Sequence, residues 1–314
     1  MISRLYYIAN TRIPSSKANT YQSFQVCSTL SEVGLNVEFL YPNRKVEKGF
    51  EDIDPFIFYN TKNNFLLKQI KVFDFHILNK LGENFYRRLH SYSFVYFVLK
   101  YLYLQKAEVI FSRDESFLPF YHFAKKFGFF KNTKIFFESH KFDFKLIKYT
   151  DCIDGIITIN QYLKKLYIEN GTEKDKILVA HDGVNIKEYK NIPTKEIKTN
   201  NILYIGNLFA WKGVYTLVDA MKLLPKYHLT IVGGSEEDFN LLTKYVKYNN
   251  INNITFTGFL QREKAIEYIK DADILVLPNS AKDKMSFYTS PLKLFEYMAA
   301  KRVIVASDLP SLRE

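Results

Sequence analysis

The sequence predicts an α/β chain of two doubly wound parallel-sheet domains, on two observations. Short strand-like runs alternate with helix-like ones along the whole chain, and the alternation restarts after a polar stretch past the middle. Size agrees with the pattern. At 314 residues the chain exceeds one ordinary core, and 47% hydrophobic with 25% charged residues is the composition of a folded protein.

In order, LYYIA (5–9) reads as a strand, 20–34 as an amphipathic helix and VEFLYP (37–42) as the next strand. A basic, aromatic helical region follows over 85–105, then EVIFS (108–112), a helix over 117–128, KIFFESH (134–140), GIITIN (155–160) and KILVAHDGV (176–184). These runs define a first domain over 1–187. The polar, proline-containing residues 188–199 read as a linker, and a second domain begins at 200. There NILYIG, HLTIVGG (228–234), NITFTG (253–258), DILVLPN (273–279) and RVIVAS (302–307) are strands, separated by helices over 213–224, 236–249, 261–271 and 291–300. At SDLPSLRE a turn opens a helix that does not complete, so the second domain is expected to be truncated, with a further copy or partner covering that face.

Several classes fall away on composition. Cys27 and Cys152 are far apart and lack C-x-x-C or Cys/His spacing, which speaks against a disulfide framework or structural zinc and for a reducing compartment. The start has no long apolar core or small-residue cleavage site, and no window reaches the roughly 20 apolar residues of a membrane span. A cytoplasmic protein is the expectation, with attachment to the inner face of the membrane as an addition to it. Basic residues outnumber acidic ones by 44 to 33, a formal charge of +11, yet no RNP, helix-turn-helix or zinc signature supports nucleic-acid binding.

In open α/β sheets ligands bind beyond the carboxyl ends of the strands, so the residues after each run carry the chemistry. After 201–205 comes Gly206-Asn207-Leu208-Phe209-Ala210-Trp211-Lys212-Gly213, which brings a cation and a glycine to a helix start, the makings of a phosphate site. A surface lysine beside an ordinary turn is the competing reading. After 273–278 a polar loop runs to Ser290 and Pro291, an N-cap and first-turn proline for the helix that carries Glu296. Glu296 reads either as a solvated carboxylate or as an acceptor for a sugar or ribose hydroxyl. Two D-x-D spellings, Asp271-Ala272-Asp273 and Asp52-Ile53-Asp54, read as a helix–strand junction and a loop, so no metal is expected.

The segments YIGNLFAWKG, LTIVGG, NITFTGFL, ADILVLPNS and YTSPLKLFEYMAAKRVIVASDLPSLRE, with EVIFSRDES, FFESH and VAHDGVN earlier, resemble the retaining glycosyltransferases of family 4. The resemblance covers most of the chain and is strongest over 201–314. It implies the GT-B fold, two Rossmann-like domains facing a central cleft, with the second incomplete here. It implies metal-independent transfer of a sugar, with retention of configuration, from a nucleotide-diphosphate donor to a glycan or lipid-linked acceptor. No cofactor is implied beyond that donor.

By position, the resemblance assigns Lys212 to the donor diphosphate, with Gly206 and Asn207 beside it. The amides of Thr289, Ser290, Pro291 and Leu292 at the helix start fall on phosphate or sugar oxygens, Glu296 on the ribose, and the backbone of Gly258 and Phe259 on the base. His140, with Glu138, and the pair Arg113-Asp114 fall near the reacting sugar and acceptor. Three positions depart from the family pattern: Asn207 replaces the usual arginine, Tyr288 the first acid of E-x7-E, and Pro14 to Asn19 a glycine pair. Lys17, Lys282 and Lys284 are candidates to restore the lost charge. The departures keep two rival readings open, a non-catalytic sugar-nucleotide binder and a sugar-nucleotide epimerase on the same fold.

The charge is uneven, with 28 basic and 20 acidic residues up to position 190 against 16 and 13 after it. Lys80, Arg87, Arg88, Lys100 and Lys106 surround FYRRLHSYSFVYFVLKYLYLQK, a combination suited to an anionic membrane surface. The alternative is an ordinary helix with its rings in the core and a solvated basic face.

Overall fold

The computed structural model describes residues 4–46, 49–73, 83–194, 200–281, 285–288 and 292–314, without the side chains of 83–87, 285 and 286. The chain divides into two compact units. One is built from residues up to Thr158 with Leu163–Val179, the other from Ile159–Tyr162 with Ala180–Glu314.

The first unit holds β1 (Leu5–Ile8), β2 (Val37–Pro42), β3 (Leu66–Ile70), β4 (Val109–Ser112), β5 (Lys134–Ser139), β6 (Gly155–Thr158) and β7 (Ile177–Val179) in one sheet. Their order is β3-β2-β1-β4-β5-β6-β7, every pair parallel. Helices α1 (Ala18–Glu32), α2 (Pro55–Phe58), α3 (Glu83–Leu104), α4 (Leu118–Lys126) and α5 (Gln161–Glu169) make the connections. Central strands are buried on both faces, so β1, β2 and β4 read as apolar runs rather than alternating ones, interrupted at Glu38 and ended by Ser112. One core joins Tyr7, Phe39 and Phe111 of the sheet to Phe24 of α1 and Tyr59, with rings meeting edge-to-face at about the usual 5–6 Å. Glu38, inside buried β2, accepts from Arg4 at 2.8 Å and from the Tyr101 hydroxyl at 2.6 Å, which meets its hydrogen-bonding need.

In the second unit β8 (Asn201–Ile205), β9 (His228–Val232), β10 (Ile254–Gly258), β11 (Ile274–Leu277) and β12 (Val303–Ala306) form a parallel sheet in the order β10-β9-β8-β11-β12. Around it lie α6 (Val214–Met221), α7 (Glu236–Tyr248), α8 (Arg262–Asp271), α9 (Met285–Tyr288), α10 (Leu292–Ala299) and α11 (Pro310–Arg313). Strand alternation distributes the core: Ile202 and Tyr204 pack with α6 and α7, while Leu203 and Ile205 pack with α8 and α10.

The division differs from the expected one. Residues 180–187 belong to the second unit, and of the expected linker, Tyr189 and Ile192 are buried in its core at 1% and 2% exposure. Their apolar rings and branches outweigh the polar composition around them. The linker residues 195–199 lie outside the described residues. Strand β3 and helix α5 were not expected from the pattern.

Candidate functional site

Both sheets reverse their strand order once, between β1 and β4 in the first and between β8 and β11 in the second. At such a switch point the flanking loops part in opposite directions and leave a crevice at the strands' carboxyl ends. In the second unit the loop after β8 runs from Gly206 to Gly213 and the loop after β11 starts at Pro278. They are joined by the Ser280 amide donating to the Trp211 carbonyl at 2.8 Å. Gly213, at φ +71°, is the N-cap of α6, and a Cβ there would lie 1.7 Å from the Pro278 carbonyl oxygen. Only glycine permits this closeness. Helix α10 is tied to the same place by the buried Tyr297 hydroxyl, which accepts from the Ile205 amide at 3.2 Å.

Lys212 stands at this junction, half-buried, its ammonium 4.1 Å from the centre of the Trp211 ring. Burial, with the nearby charge of Lys293, lowers its pKa to about 8. No carboxylate among the described residues pairs with it. A half-buried cation without a carboxylate partner among the described residues favours an anion beside it.

Glu296 is not the solvated carboxylate of the first reading. It is 3% exposed, and its two oxygens accept from Arg262 at 2.7 Å and from Lys293 at 2.6 Å. Burial would raise its carboxyl, but Lys293 and Arg262 together hold it below the usual range. Arg262, the first residue of α8, also donates to Glu188 at 2.6 and 2.9 Å and to the Tyr189 hydroxyl at 3.2 Å. One guanidinium thereby serves two buried carboxylates, and Lys293 balances the remaining charge. Sequence reasoning missed this network. The Lys293–Glu296 spacing of three on one helix was a visible signal, whereas Arg262 and Glu188 lie 74 positions apart.

The other donor-side candidates distribute as follows. Gly206 follows β8 directly and its amide donates to the Val232 carbonyl; exposed Asn207 offers its carbonyl to the Tyr204 hydroxyl at 2.6 Å. Gly258, at φ +71°, ends β10, and Phe259 beyond it presents a ring that is 67% exposed. Tyr288 packs against Tyr162, ring centres 5.8 Å apart. Leu292 is the first residue of α10. Thr289, Ser290, Pro291, Lys282 and Lys284 lie outside the described residues.

At the first unit's switch point Arg113 follows β4. Its guanidinium donates to the Asn19 carbonyl, Ser23 and Gln22 of α1 at 3.1–3.2 Å, and lies 2.9 Å from His140 Nε2. His140 Nε2 is 2.5 Å from an oxygen of Glu138, which is 6% exposed. Burial would raise the Glu138 carboxyl, but the His140 bond and the Arg113 charge hold it low. The imidazole is thereby held at Nε2 between the Arg113 guanidinium and the Glu138 carboxylate, and its donor and acceptor roles depend on the tautomer. Arg113, His140 and Glu138 are thus one braced cluster. Asp114 is not part of it: its carboxylate caps the turn 115–117 by accepting the Ser116 amide at 2.9 Å. Exposed Lys17 is the N-cap residue of α1, with no side-chain capping bond. Of the D-x-D spellings, Asp54 caps α2, while Asp271 ends α8 and Asp273 accepts the Asn201 amide.

Residues 185–314 match the family model for glycosyl transferases group 1. An uncharacterized glycosyltransferase of Methanocaldococcus jannaschii is 29% identical over 164 residues, 49% of this chain and 41% of that protein. The amylovoran biosynthesis glycosyltransferase AmsK of Erwinia amylovora is 23% identical over 183 residues, 56% of this chain and 44% of that one. The chain therefore spans less than half the length of these curated relatives. Among solved structures, the Anabaena protein HepE in complex with UDP and glucose superposes with a TM-score of 0.66 at 12% identity, covering 98% of this chain and 81% of that one. The lipopolysaccharide outer core galactosyltransferase WaaB gives 0.66 at 20% identity with the same coverage, and TarM gives 0.71 at 10%, covering 98% and 85%. At these identities the likeness is one of fold, and the fold is GT-B.

Proposed function

We propose that this chain is a glycosyltransferase that moves a sugar from a nucleotide-diphosphate donor to a glycan or lipid-linked acceptor, in the synthesis of a cell-surface polysaccharide. The observation that carries the proposal is Lys212, a half-buried ammonium without a carboxylate partner among the described residues, at the switch point of the unit that matches the glycosyltransferase family. The complex of HepE with UDP and glucose and the part of AmsK in amylovoran biosynthesis support the choice of substrates.

In this reading the bond between the anomeric carbon and the diphosphate oxygen breaks, and its electron pair leaves with the diphosphate. Lys212 stabilises that growing charge from a fixed, partly desolvated position, an effect usually worth several kcal/mol. The acceptor hydroxyl attacks on the same face, its proton passing to the departing phosphate oxygen, so configuration is retained without a metal or an enzyme nucleophile. Glu296 keeps a second lone pair on each oxygen for a ribose hydroxyl, while Arg262 and Lys293 hold it ionised. The exposed Phe259 ring offers a face to the base. The Arg113–His140–Glu138 cluster is the acceptor-side candidate.

The test is a thermal-shift panel of nucleoside diphosphates and their sugar conjugates on the protein and on Lys212→Ala, followed by product analysis with the selected donor. A shift for one base that is lost in the variant, and a new glycoside of unchanged anomeric configuration formed only with acceptor, are expected. An epimerised donor formed without acceptor, or binding without turnover, would replace the proposal with one of its rivals.

A further inference from the structure

Helix α3 turns its apolar residues both ways. Phe94, Val95, Val98 and Leu102 are fully buried against the first sheet, as an amphipathic helix requires. The opposite face, however, is not polar. Tyr92, Tyr96 and Tyr103 fall within about 40° of one another around the helix, at 100° per residue, and are 55%, 59% and 56% exposed. Arg88 and Lys100 continue the same exposed stripe at intervals of four, and Leu104 closes it at 65% exposure. The reading that places the rings in the core and solvates the basic face holds for Phe94 and for the exposed Arg88 and Lys100, but not for Tyr92, Tyr96 and Tyr103.

The aromatic face continues onto α4. Tyr92 meets Phe120 of α4 at 6.0 Å between ring centres, and Tyr103 meets Phe129, in the turn that follows α4, at 5.5 Å, so the face runs from α3 onto α4 and the turn beyond it. From Phe120 the spacing of three and four leads to Phe123 and Phe127, which are 48% and 76% exposed. From residue 84 on, the helices themselves carry charge of one sign, the exposed Asp151, 2.8 Å from His122 of α4, being the acid beside them. Residues 84–107 and 116–134 contain no aspartate or glutamate at all. Lys125 is turned to Asp154, at 3.0 Å, but Arg88, Lys100, Lys106, Lys126 and Lys131 make no ion pair among the described residues.

We infer that the α3–α4 face docks on an anionic lipid bilayer, with its tyrosine and phenylalanine rings entering the headgroup region and its lysines meeting the lipid phosphates. Rings that are amphipathic or apolar suit the interface, where one end is wet and the other is not. The cations, which make no ion pair among the described residues, add an attraction that fades within a Debye length of a charged surface. The inference goes beyond the proposed transfer and does not depend on it, though a membrane-bound acceptor would suit both.

The experiment is flotation with vesicles of phosphatidylglycerol and phosphatidylcholine and with phosphatidylcholine alone, at low and high salt. It compares the protein with Tyr96→Ser/Phe127→Ser and with Lys100→Glu/Lys126→Glu, exposed positions whose folding is checked by thermal melting. The expected result is flotation with the anionic vesicles only, weakened by salt, and lowered at least tenfold by either double variant. Lack of flotation with anionic vesicles at low salt would overturn the inference. So would binding that the ring variant leaves unchanged, since the net charge alone would then account for it. A concentration-dependent dimer in gel filtration that both variants abolish, without vesicle binding, would assign the face to a second copy instead. Nucleotide thermal shifts on the same preparations report separately on the transferase reading.

Discussion

Lys212 concentrates the chemistry of the second unit in one titration. Burial and Lys293 bring its pKa down to about 8, so the ammonium is charged at neutral pH and loses its proton just above it. The sign differs for binding and for folding. An anion ligand needs the charged form, so affinity for the selected nucleoside diphosphate should be level near pH 7 and fall by up to roughly tenfold per pH unit above 8. Stability moves the other way: a lysine whose folded pKa is depressed carries its penalty fully below that value, and the penalty is relieved as pH rises toward the unfolded lysine range. Titration calorimetry across pH 7 to 9.5 measures the first effect. Lys212→Gln should bind weakly throughout and lack the slope; an unchanged slope in that variant would place the titrating group elsewhere.

At the level of elements, the junction between the β8–α6 loop and the β11 loop depends on Gly213. An added Cβ at φ +71° would collide with the Pro278 carbonyl, a backbone atom that cannot rotate away. Gly213→Ala should destabilise the protein by about 2 kcal/mol or more, from left-handed strain together with displacement of the Pro278 loop. Urea denaturation gives the loss directly, and it should come with weakened nucleotide binding because Lys212 is the neighbouring residue. Gly183→Ala, at a position with open space around it, is the matched control. The strands at this junction were legible in the sequence because both sheet faces are covered, which makes NILYI and ILVL continuous apolar runs. Strand β3 was not: LLKQI lies at the sheet edge, with Leu66 52% exposed and Lys68 and Gln69 open to solvent, so it lacks a buried period. The same contrast runs through the site. Lys212 and His140 stand directly after strands or at a helix start, where local pattern finds them. Arg262 acquires its meaning only when folding brings it to Glu188 and Glu296, and the capping bond of Asp114 to the Ser116 amide is a local role its expected one did not include.

At the scale of the whole molecule, described core residues gather around Phe24 and Phe39 in the first unit and, separately, on each face of the second sheet. Each unit closes its own parallel sheet, and all the donor-side candidates fall in the second. Calorimetry should therefore resolve two unfolding transitions, or one transition that is broader than two-state, rather than a single cooperative event. A nucleoside diphosphate at one hundred times its Kd contributes about 2.7 kcal/mol to the unit that binds it. The ligand should raise the transition of the second unit and leave the other near its original temperature. Assigning the transitions needs one marker in each core: Phe24→Leu should lower only the first unit's melting, and Val218→Ala only the second's, because each side chain is fully buried in its own cluster. If the diphosphate instead raised the Phe24-sensitive transition alone, the anion site would have to be sought at Arg113 and His140, and Lys212 would lose its role. If both transitions rose together, binding would couple the units, and the gain shared between them would measure how strongly the ligand links two cores that the chain folds separately.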